Sequence, residues 1–165
     1  MDTYLGIYLK DQFAMGVLWR ELARRAQRNN QGTPLGEALA EVATGIAEDV
    51  ETFRSIMERV GVRPSRLKTA SAAVSERVGR LKLNGRLGGY SPLSRFVELE
   101  AVTMGIDGKK QLWNTVADLA GLRERLPDID FDHLLERAER QRATLEPFRT
   151  RAGTKVLRAP APNRS

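Results

Sequence analysis

Four charged side chains, Asp11, Asp49, Glu100 and Arg142, fall where the helical pattern of this chain calls for apolar residues, one on each of four long segments. In the first segment the inward stripe reads Tyr4, Tyr8, Asp11, Met15, Leu18, Leu22, with the steps of three and four that mark one helix face. The second reads Leu39, Val42, Ile46, Asp49, Phe53, Ile56, the third Leu93, Val97, Glu100, Met104, and the fourth Phe131, Leu135, Ala138, Arg142, Leu145. Carboxylates converging from separate helices have two chemical uses: they hold hard cations, or they accept the N–H donors of a guanidinium bidentately. Arg142 points to the second use, a buried ion network. Asp49 is the firmest member, since both helical phasings of its segment pass through it. Shifting the third stripe to Phe96, Leu99, Val102, Ile106 would move Glu100 to its margin.

Four long helices must carry these residues, because no stretch alternates as a strand does and Ala, Leu, Glu, Arg and Lys are good helix formers. The first runs from about Thr3 to Arg28. Thr33 and Pro34 then supply an N-cap and a first-turn proline for the second, which ends near Val60 and Gly61. A short basic helix is predicted after Arg63, ending at Asn84 and Gly85. Ser91 and Pro92 open the third long helix, which Gly105 and Gly108 should weaken midway. Asp130 caps the last, where Pro147 predicts a kink or an end, and the residues after Gly153 read as a disordered basic tail. Residues 1–152 thus read as one all-α domain. Segments of about 25 residues span roughly 38 Å and can pair along their length in a bundle. Two hairpins joined by a crossover of about 30 residues make the ferritin-like topology.

The 165 residues are enough to bury a core without disulfides, and the absence of Cys excludes thiol chemistry and fits a cytoplasmic protein. No run reaches 18 apolar residues, so no membrane association is expected. The net charge of +6 is concentrated: residues 62–86 hold seven Lys/Arg against one Glu, and residues 149–165 hold five against no acid. A solvated helix face and a loose tail explain this better than a contact with phosphate or an acidic partner, since no aromatic residue but Tyr90 interleaves the basic ones.

The chain resembles the ferritin-like superfamily and, more narrowly, an uncharacterised bacterial family within it. The narrower resemblance rests on Val62 to Lys68, on Gly79 to Arg86, and on Tyr90 to Arg95. The superfamily resemblance implies a di-metal centre built from one Glu on each of two helices and a Glu-x-x-His pair on each of the others. Here the matching positions hold Asp49 with Thr52, or Glu48 with Glu51, and Glu139 with Arg142, and none contains a histidine. His133 lies nearly three turns from Arg142. The resemblance therefore implies a degenerate metal site with no cofactor.

Three functions compete on these grounds. A non-enzymatic bundle acting by association, as a homodimer or with a protein partner, is favoured by the surplus of Tyr4, Tyr8, Phe13, Met15 and Trp19 on the first segment. Weak, sequence-independent nucleic-acid binding would use Arg63, Arg66, Lys68, Arg77, Arg80, Lys82 and Arg86. A carboxylate-rich metal oxidase is the third.

Overall fold

The computed structural model describes residues 3–63 and 90–158. Every regular element among them is helical: α1 (Tyr4–Asn29), α2 (Pro34–Arg59), α3 (Pro92–Asn114), a π-turn over Thr115–Leu119, the short α4 (Leu122–Arg125) and α5 (Phe131–Leu157). None of these helices is long and apolar enough to cross a membrane.

The helix starts follow local chemistry. Thr3, Thr33, Ser91 and Asp130 each accept a hydrogen bond from a backbone N–H of the first turn, and Pro34 and Pro92 occupy first-turn positions where the missing N–H costs nothing. Pro147, by contrast, does not end α5, which continues to Leu157 and so overrides the expected tail from Gly153. Proline removes one hydrogen bond and strains the turn before it. Tertiary packing offsets this: Leu145 is fully buried, and Gly153 presses its bare backbone against the Phe96 ring, which an added Cβ would meet at 2.7 Å. Gly105 likewise does not weaken α3. It makes room for the Trp19 ring, which a Cβ there would meet at 2.5 Å, and α3 passes through unbroken.

Four long helices pack as a closed ring. Gly16 of α1 faces Val50 of α2, Trp19 of α1 faces Gly105 of α3, Arg137 of α5 reaches Asp49 of α2, and Phe96 of α3 faces Gly153 of α5. These contacts make α1 and α2, and α3 and α5, antiparallel hairpins, with α2 and α3 running in the same direction. One end of the interior holds the aromatic cluster of Phe13, Phe53, Trp113 and Phe131, with Phe53 and Trp113 edge to face at 5.8 Å. The other is aliphatic, around Leu39, Val42, Leu99, Val102 and Leu145. Asp49 and Lys109 stand where the two clusters meet.

Candidate functional site

Asp49 occupies the inner face of α2 between Ile46 and Phe53, and only 3% of its side chain is exposed. An ionised carboxylate costs several kcal/mol to bury unless its oxygens are engaged. Both are: Oδ2 accepts from Lys109 Nζ of α3, and Oδ1 accepts from Arg137 Nη2 of α5. Lys109 also donates to Gln141 Oε1, while Arg137 Nη1 donates outward to Glu48 Oε2 at 2.9 Å. One carboxylate thus ties three helices together. The ammonium shares its counter-ion with Arg137, and burial holds the Lys109 pKa below the ordinary lysine value, against the opposite pull of Asp49.

A second polar knot sits near the α1–α2 loop. Glu98 of α3, also 3% exposed, pairs with Arg25 Nε at 2.9 Å and accepts from Asn29 Nδ2 at 3.0 Å. Buried Asn30 donates to the Ala26 carbonyl and to Tyr90 Oη, and its Oδ1 accepts from Arg95 Nε. Burial, helped by the charge of Glu98 and opposed by the Asn30 donor, pushes the Tyr90 phenol up to about 12. This knot pins the first hairpin to the start of α3. Gly36 completes it, because a Cβ there would lie 2.1 Å from the Asn30 carbonyl oxygen.

Of the four residues that the stripes aimed inward, the structure places Asp49 in the core and the other three elsewhere. Asp11 is exposed. The inner face of α1 near it is Leu9, Phe13 and Val17, one to two residues along from Tyr8, Asp11 and Met15 and so on a different side of the helix. Glu100 lies at the margin of α3 and pairs with Arg149 at 3.2 Å, the phase of that helix being set by Phe96, Leu99, Val102 and Ile106. Arg142 is rotated outward by its neighbour Gln141, which takes the inward position, and pairs with Asp107 and Glu146. Glu146 also receives Arg149 Nη2 at 2.6 Å, so Glu100 and Arg142 belong to one surface chain of ion pairs. Its two arginines hold the Glu146 carboxyl well below the usual carboxylate range.

The sequence reading missed the cations that do reach the centre. Lys109 was legible, since the stripe Leu99, Val102, Ile106 continues to Lys109 and Trp113. Arg137 was not, because it flanks the inner face of α5 and reaches Asp49 through the length of its side chain. Of the basic set proposed for nucleic acid, Arg63 is exposed. Arg66, Lys68, Arg77, Arg80, Lys82 and Arg86 lie outside the described residues.

Beside Asp49 and Lys109 opens a cavity of about 250 Å³ between α1, α2 and α3. Its walls are apolar, with Phe13, Val50, Phe53 and Leu112 among them, and both tryptophans, Trp19 and Trp113, face it. Trp113 is 1% exposed, and its indole N–H has no acceptor among the described residues.

These residues do not fit a di-metal centre. Two cations already satisfy the buried carboxylate and would repel an incoming metal ion, and no three His, Asp or Glu side chains converge among the described residues. His133 is exposed at the start of α5. Comparison with protein-family models, curated proteins and solved structures finds no match to this chain.

Proposed function

We propose that this protein is a non-enzymatic bundle of the ferritin-like kind that works by binding, its helices joined by ion pairs where metal-holding bundles of that topology place their ligands. The chain order supports this reading: two antiparallel hairpins, with the second and third long helices parallel, is how a long crossover arranges such a bundle. The observation that carries it is Asp49 held by Lys109 from one helix and Arg137 from another. Calorimetric titration of the chelator-treated protein with Mn²⁺, Fe²⁺ or Zn²⁺ is expected to show no saturable binding at micromolar metal. Stoichiometric uptake, lost on Asp49→Ala, would overturn the reading in favour of a metal oxidase.

A second mode of binding, self-association, is favoured by one surface. Tyr4 is 93% exposed, Ile7 46% and Leu119 85%, and all three lie at the end of the bundle where α1 begins. Sedimentation should give a concentration-dependent mass that Tyr4→Ser with Leu119→Ser returns to that of a monomer. A monomer at every concentration removes the association.

A further inference from the structure

The buried polar atoms near the cavity are short of acceptors. Among the described residues the buried side-chain atoms without a partner are Arg54 Nε, Trp113 Nε1 and Arg137 Nε, every one a donor. Of the three, Trp113 lines the cavity, whereas Arg54 and Arg137 stand behind its wall, Arg54 against the Phe13 ring at 5.5 Å and Arg137 against Asp49. An unpaired buried donor is costly, so a group that supplies acceptors here gains what the protein itself leaves unmade.

Charge points the same way. The Asp49 oxygens are each engaged by a cation, so the aspartate presents little uncompensated negative charge to the cavity. An ammonium has three donors, and Lys109 gives two of them to Asp49 and Gln141. Lys109 and Trp113 are four residues apart on α3, which puts them on one helix face, and both line the cavity. A largely apolar, partly open cavity with Lys109 and Trp113 on one wall suits an anion carried on an apolar body.

Deepening the reading that the protein works by binding, and resting on it, we propose that this cavity is a binding site for a small monocarboxylate, its carboxylate accepting from Lys109 Nζ and Trp113 Nε1 and its apolar body lying against Phe13, Ile46, Val50 and Leu112. Size limits the ligand. Since a cavity of about 150 Å³ accommodates benzene, one of this volume takes on the order of ten non-hydrogen atoms. An eight-carbon chain ending in a carboxylate is of that size.

The test uses octanoate, with 1-octanol and octylamine as matched neutral and cationic probes, on the full chain. Trp19 and Trp113 are its only tryptophans and both line the cavity, so intrinsic fluorescence reports on occupancy, and calorimetry gives an independent readout. Octanoate is expected to saturate and to bind about tenfold or more tighter than either control, the size of one charge-assisted hydrogen bond. Lys109→Met should bring octanoate down to the level of octanol. Gly108 supplies a variant that leaves the ion pairs intact: it lines the cavity, and a Cβ there meets nothing within 4 Å, so Gly108→Leu should fill the space and abolish binding of all three probes. Equal affinity for octanoate and octanol, both blocked by Gly108→Leu, would overturn the carboxylate assignment and leave the binding reading standing. If no probe saturates by either readout, the inference falls, while the reading of the protein as a binding bundle stands or falls separately on the metal titration and the sedimentation.

Discussion

Asp49→Ala is expected to cost about 3–5 kcal/mol of unfolding free energy, because it leaves Lys109 and Arg137 without the carboxylate that both surround. For a chain of this length that corresponds to a fall in melting temperature of roughly 10 °C. The two cations differ in how they can respond. Arg137 keeps Glu48 as an outer partner, whereas Lys109 keeps only the neutral Gln141. Burial already depresses the Lys109 pKa below 10.5, and losing Asp49 removes the main influence that opposes this shift. A lysine whose folded pKa lies below its unfolded value carries its full charge-burial cost below the folded pKa, and sheds that cost as pH rises from there toward 10.5. The deficit of Asp49→Ala relative to the parent should therefore shrink between neutral pH and about 10. Urea denaturation at several pH values checks both magnitude and slope. A deficit below about 1 kcal/mol at neutral pH would mean that the ion pairs contribute no more than surface pairs do.

The next largest effect belongs to Glu98. Its carboxylate accepts from Arg25 and Asn29 of α1 while sitting 3% exposed on α3. Glu98→Ala should cost about 2–3 kcal/mol, less than Asp49→Ala because it strands one cation, Arg25, rather than two, and its other partner, Asn29, is neutral and exposed. Glu100→Ala, two residues along the same helix, is the internal control. Glu100 is 43% exposed in its pair with Arg149, and exposed pairs contribute about 0–1 kcal/mol. Equal effects at Glu98 and Glu100 in chemical denaturation would contradict the assignment of Glu98 as the buried partner.

These residues also mark how far the sequence could be read. Its caps and prolines placed the starts of α2, α3 and α5 at Pro34, Pro92 and Phe131, because capping is local chemistry. Helix phase is not local. α1 packs on both α2 and α3 and carries apolar residues on more than one face, so the Tyr4, Tyr8 and Met15 stripe competes in the sequence with Leu9, Phe13 and Val17. Choosing the heavier aromatic stripe sent Asp11 inward on paper and outward in the molecule. α5 shows a slip of one residue, between Arg142 and Gln141. Asp49 survived because its neighbours Ile46, Val50 and Phe53 surround it in either phase. An inward carboxylate requires a partner, and the sequence posed that requirement correctly at Asp49. It named Arg142 where the fold supplies Lys109 and Arg137, since which cation arrives depends on the register between α2, α3 and α5, and no single helix encodes it. Nothing in the sequence singles out the short α4 or the π-turn before it, since four or five residues carry too little periodicity to be seen.

The central claim is that Asp49 and Lys109 form an ion pair in the core of the bundle, and a double-mutant cycle tests it most directly. Asp49→Leu, Lys109→Met and the combined variant should show a coupling energy of about 1–3 kcal/mol, with the double variant more stable than Asp49→Leu alone. Additivity within about 0.5 kcal/mol would contradict the claim.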